Sequence, residues 1–194
     1  MPIDVELGLL NAGGIVEPNA AWTDQARSFI TEAVRRQLQE QDAELVVPTD
    51  KVTDLPVDDT RLQLVKLHEA VGRSILVHQY QNASVWALPT KKDGFDWTLG
   101  ADVKALRQHY DSDYALFVFM RDSYTSPGRV AVIVAMAVLG VGVYGGYQVG
   151  FASLVDLNSG DVVWFNRLVR GEGDLRKAKE SEETVGVLLA GFPK

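Results

Sequence analysis

The chain contains no cysteine. Disulfides, thiolate metal sites and cysteine nucleophiles are therefore excluded, since each needs a sulfur. Histidine is scarce: His68, His78 and His109 are the only three. His68 and His78 stand too far apart on one predicted helix to chelate a single ion as an i,i+4 pair does. All three are expected at the surface or its boundary. Positive charge is also in short supply, with 19 Lys and Arg against 26 Asp and Glu, a formal net charge of −7. A nucleic-acid binder needs a basic stripe to displace counterions from phosphates. Here the densest basic cluster, Arg176-Lys177-Ala-Lys179, runs straight into Glu180, Glu182 and Glu183. No nucleic-acid partner is expected.

Other absences bear on organisation. No long repeat and no low-complexity linker interrupts the 194 residues, so one domain over 1–194 is expected. The start, Met1-Pro2-Ile3-Asp4, is not a charged stretch before an apolar run, so no signal peptide is visible. No nucleophile elbow supports a Ser–His–Asp triad from pairs such as Ser123 and His109. No catalytic residue, cofactor or metal ligand is assigned. The tryptophans, Trp22, Trp86, Trp97 and Trp164, are read as packing anchors.

What is present is an ordinary globular balance, 46% hydrophobic and 23% charged residues. Val5 to Leu10 reads as a strand ending in Asn11-Ala-Gly-Gly14. Thr23 is the expected N-cap of a first helix, with Ala26, Phe29, Ile30, Ala33, Val34 and Leu38 on its apolar side. Glu44 to Val47 reads as a short strand and Pro48 to Pro56 as an acidic loop. A second helix carries Leu62, Val65, Val71 and Ile75 and runs to about Gln81, with Gly72 permitting close packing. Thr98 is the expected cap of a third helix bearing Val103, Leu106 and Tyr110.

The organising stretch runs from Tyr114 to Val169. Tyr114 to Met120 is apolar on both alternating faces, as a central strand covered on both sides should be. Asp122 to Arg129 reads as a loop. Tyr147 to Leu157 and Asp161 to Val169 read as an antiparallel hairpin, with Gly160 in the left-handed turn position. A last helix lies between Asp174 and Leu189, stopped by Gly191 and Pro193. The expected fold is α/β (α+β): one domain, a mixed sheet of about five strands with a C-terminal antiparallel hairpin, and helices on both faces.

Between the central strand and the hairpin lies an apolar, glycine-rich insertion, residues 125–146. Val130 to Leu139 is apolar all round and reads as helical. Gly140-Val-Gly142-Val-Tyr-Gly145 fits G-x-G-x-x-G, but a strand follows it where a dinucleotide site needs a helix. A flexible connection is the favoured reading. Val130 to Phe151 is also long enough to cross a bilayer. The five glycines in its second half and the need for Tyr147 onward in the hairpin favour a core helix or a partly exposed apolar patch. Val134, Met136, Leu139, Val141, Val143 and Tyr144 are the candidate interaction surface. Asp111-Ser-Asp113, the nearest thing to a paired-acid metal site, reads as turn formers.

Two segments carry a resemblance. Asp113-Tyr-Ala-Leu-Phe-Val-Phe follows a helix as an acid, an aromatic and an apolar strand. Val149-Gly-Phe-Ala-Ser-Leu-Val-Asp-Leu-Asn-Ser-Gly-Asp-Val-Val-Trp-Phe-Asn is strand, Asp, turn glycine and strand with Trp. This resembles bacterial envelope lipoprotein domains such as the periplasmic domain of the curli secretion channel, the LpoB activator and the N-terminal domain of TolB. The Val130–Tyr144 insertion and the lack of a lipidation cysteine depart from that pattern. The resemblance implies a non-enzymatic interaction or assembly protein of the cell envelope. Its expected location is the periplasm, anchored to the outer membrane by lipid through a leader outside this chain; the alternative is cytoplasmic. The expected partner is an envelope protein or a second copy, with membrane-surface contact through 130–144 a further option. The competing function is a small-molecule or nucleotide-binding protein using the Gly140–Gly146 loop.

Overall fold

The computed structural model describes residues 1, 3–40, 56–81, 86–91 and 94–193. The expected Glu44–Val47 strand and most of the acidic loop fall outside them. Among the described residues there are five strands: β1 (Asp4–Leu10), β2 (Val16–Pro18), β3 (Tyr114–Thr125), β4 (Gln148–Asp156) and β5 (Val162–Arg170). They form one mixed sheet in the order β2-β1-β3-β4-β5. Only β1 and β3 run parallel; the remaining neighbours are antiparallel. The helices are α1 (Ala20–Gln39), α2 (Pro56–Ile75), α3 (Lys104–Tyr110), α4 (Pro127–Val138) and α5 (Ala178–Leu188).

Strand β3 sits at the centre and sorts its side chains to two cores, since neighbouring residues point to opposite faces. Val118 and Met120 pack with Ile30, Val34, Val185 and Leu188, the inner sides of α1 and α5. Ala115 and Phe117 pack with Leu64, Ile75 and Leu106 from α2 and α3. Both faces are covered, which explains a strand apolar at consecutive positions.

Several local expectations are corrected. The N-cap of α1 is Asn19, whose side chain accepts from Trp22 N at 3.0 Å. Thr23 lies inside the helix, and its hydroxyl accepts from Leu7 N at 3.0 Å, joining α1 to β1. Val16–Pro18 is a strand that the break at Pro18 concealed; an edge position tolerates a proline. In α2, Leu62 faces outward, and Arg61, Leu64 and His68 are buried instead. Thr98 caps no helix. It accepts from Gly100 N at 2.9 Å and donates to Gly160 O at 3.0 Å, tying its segment to the hairpin turn. The expected loop from Asp122 to Arg129 is mostly strand and helix: β3 continues through Thr125 and α4 begins at Pro127. Asp122 and Ser123 hold strand conformation because both pair across the sheet while their polar atoms are bonded.

Two glycines have geometric reasons. A Cβ on Gly72 would lie 2.0 Å from the Phe151 ring, so α2 can approach β4 only without a side chain there. Gly160 has φ +89°, the left-handed value the hairpin turn requires. A Cβ at that position would also meet Gly100 O at 2.3 Å.

Candidate functional site

Helix α4 is built by strong local signals. Ser126 is its N-cap, accepting from Arg129 N at 3.1 Å, and Pro127 occupies the first turn with φ preset. The C-terminus closes as a Schellman turn. Gly140, at φ +74°, donates to Ala137 O at 3.0 Å, and Val141 donates to Met136 O at 2.9 Å. The glycine-rich segment then folds back to the sheet. Arg129 donates from Nε and Nη2 to Tyr144 O at 3.2 and 3.0 Å. Gly146 N donates to Thr125 Oγ1 at 2.7 Å, and Tyr147 N to Ser123 Oγ at 3.1 Å. Both ends of the insertion are thus fastened, and the Gly140–Gly146 run is held at Gly140, Tyr144 and Gly146 instead of bending freely.

No residue of α4 is buried. Its inner side, Arg129, Val132, Ile133 and Met136, is half-buried against the returning loop; Val130, Ala131, Val134, Ala135, Ala137 and Val138 are exposed. The expectation of a core helix is therefore overturned in favour of the exposed patch. Of the candidate residues, Val134, Leu139, Val141 and Tyr144 are exposed, Tyr144 at 88%. Met136 and Val143 are half-buried on the inner side. Val138, the most exposed valine of the helix at 83%, was missed, as was Val130. Their four-residue spacing from Val134 was the available signal. Among the described residues, no helix is long and apolar enough to cross a membrane.

A second, polar feature adjoins the insertion. A cleft of about 180 Å³ is lined by residues 122–125, 146–148 and 171–173. Its buried members are Asp122, Ser123 and Gln148, and Asp122 Oδ2 accepts from Tyr124 OH at 2.5 Å and Gln148 Nε2 at 3.0 Å. Burial pushes the Asp122 carboxyl above the usual carboxylate range, opposed by these hydrogen bonds. Burial and the Asp122 contact push the Tyr124 phenol up as well. Gln148 Oε1 accepts in turn from Thr184 Oγ1 at 3.1 Å, and the Arg176 guanidinium lies 3.7 Å over the Tyr124 ring. This network binds β3, β4 and α5 together and leaves its donors satisfied from within the chain.

The remaining sequence candidates are dispersed. His68 corrects the surface expectation: it is 2% exposed, stacked on Phe117 at 5.0 Å and bonded to Ser153 Oγ at 2.8 Å. Burial lowers its pKa to about 3, so the ring is neutral. Ser153 is fully buried, so this Ser–His pair has no access to a substrate. His109 is exposed on α3 and His78 half-buried. Ser123 bonds the Tyr147 backbone and belongs to the sheet. Asp111 is the left-handed C-cap of α3 at φ 48°, and Asp113 pairs with Arg107 at 3.0 Å, the roles of turn-forming acids. Among the described residues, no three His, Asp or Glu side chains gather as a metal site. Trp22 and Trp97 pack as anchors, whereas Trp86 is exposed.

No protein-family model, no curated protein and no solved structure matches this chain.

Proposed function

We propose that this chain is a non-enzymatic interaction or assembly protein of the cell envelope, and that α4 with its returning loop is the surface through which it works. One observation carries the interaction role: a twelve-residue helix, apolar from Val130 onward, has none of its residues buried. Water-facing apolar surface of this extent is costly unless something covers it. The segment is well formed, with both helix ends capped and its return loop bonded to the sheet, so the exposure is a built feature of the fold. The envelope setting follows from the resemblance of the β3 and hairpin segments. A buried Ser–His pair without access and a polar cleft satisfied from within support a role without catalysis.

Site-specific photocrosslinking in the native cell tests the reading. A photoreactive residue at position 138 should yield a crosslinked protein product; the same residue at position 102, exposed in the turn that precedes α3, should not. Absence of any product at 138 would overturn the reading. Cell fractionation with tagged chain tests the envelope setting separately. For the competing nucleotide-binding reading, saturating nucleotide should raise thermal stability. A Gly142→Val variant should abolish that rise if the loop is the site.

A further inference from the structure

Resting on the proposed role of α4, we infer that its occupant is a second copy of the same chain, packed antiparallel about a two-fold axis at Val134. The outer face of the helix reads the same in both directions. With Val134 as centre, Val130 and Val138 lie four residues to either side, and Ala131 and Ala137 lie three to either side. At about 100° per residue, all five fall within roughly 60° of the Val134 direction. All five are exposed, and none of the half-buried residues interrupts the face. In an isologous pair, residue i meets j and j meets i. An antiparallel partner centred on Val134 therefore sets Val130 against Val138, Ala131 against Ala137, and Val134 against itself. Valine alternates with alanine along this face, so ridges meet gaps at the close helix spacing that small residues allow.

Charge agrees with this occupant. From Ser123 to Val155 the chain has no acidic residue and one basic residue, Arg129. In a molecule of net charge −7 this is the window through which two copies can meet without opposing carboxylates. Arg129 lies five positions from the axis. Two copies would set these cations about 15 Å apart along the helix, beyond a screening length of about 8 Å at physiological salt.

The lack of native cysteine allows a direct test on the purified full chain. Single variants Val134→Cys, Val130→Cys, Val138→Cys and Lys179→Cys, and the double variant V130C/V138C, would be oxidised and the disulfide-linked dimer quantified. Light scattering of the unmodified chain and Val134→Asp, with circular dichroism of both, would accompany this. The expected result is a dimer for the unmodified chain and a folded monomer for V134D. V134C and the double variant should crosslink at least tenfold faster than K179C, with single V130C and V138C slower than V134C. Equal crosslinking by all three single positions would indicate parallel packing and overturn the two-fold arrangement. A monomer throughout, with V134C no faster than K179C, would overturn the second copy. Flotation of the monomer with neutral phospholipid vesicles would assign the face to a membrane and overturn it likewise. These failures are separable from failure of the broader reading. A photocrosslinked product of foreign mass at position 138 keeps the interaction surface and rejects the second copy, whereas no product rejects both.

Discussion

Strand β3 and helix α4 are neighbours in the chain and each carries a long apolar run, yet the two runs meet opposite fates. In β3, Phe117, Val118, Phe119 and Met120 are each at most 3% exposed. One residue separates the strand from α4, where nothing is buried. Apolar composition therefore marks surface that will leave water, without stating where its cover comes from. For β3 the cover is supplied within the chain, by α1 and α5 on one face and α2 and α3 on the other. For α4 the chain supplies cover to one side only, the loop 140–147.

The contrast can be broken from its buried side first. Phe151 opposes Phe119 across the sheet, with ring centroids 4.8 Å apart, and Phe151→Ala should cost about 3–5 kcal/mol, measured by denaturant unfolding. Gly72→Ala should cost about 1–3 kcal/mol by overpacking, because the added carbon falls on that same ring. Equal stability of this variant would show that α2 can shift away from β4.

Acid should weaken the same layer. The folded-state pKa of His68 is lowered to about 3 by burial, below its ordinary value of 6.5. The unfolded chain therefore takes up a proton that the folded chain refuses. The stability His68 contributes is complete above pH 6.5 and is lost as pH falls toward 3. Near pH 5 the loss should be about 2 kcal/mol. His68→Gln, which keeps a donor for Ser153, should show a flatter stability profile between pH 7 and pH 5. Asp122 acts in the opposite sense, since its carboxyl is raised and acidification relieves the cost of its buried charge.

Smaller effects come from the surface. Asn19→Ala should cost about 1 kcal/mol by removing the α1 cap, seen as a lower midpoint in denaturant. Val134→Asp should change the stability of the dilute single chain by less than about 0.5 kcal/mol, because the side chain is already in water. A loss several times larger would place α4 in a core and erase its difference from β3.

Much of this architecture was legible because it rests on local rules. The unbroken apolar run of β3, the three-to-four spacing of α1 and the glycine of the β4–β5 turn each follow from chain geometry. The helical state of 130–138 was legible for the same reason. The misplaced features involve choices between equivalent residues. Asn19 and Thr23 are both competent caps, and the bond from Leu7 N to Thr23, across the gap between sheet and helix, leaves Asn19 to cap. His68 and Ser153 are polar residues whose burial depends on finding one another from 85 positions apart. The candidate surface was found as a segment, but its inner and outer sides were mixed, since Met136 and Val134 are equally apolar.

By itself the amino-acid sequence determined the periodicities, the turns, the charge-free window and the palindromic order of valine and alanine around Val134. Those are properties of neighbouring residues, set by backbone geometry and side-chain type. The tertiary structure decided which apolar stretches found cover, and that outcome depends on how much helix each face of the sheet receives. Among the described residues, α1, α3 and α5 carry buried faces turned to the sheet, and α2 adds its own through Leu64 and Ile75. With the sheet already covered on both sides, α4 keeps its outer face in water.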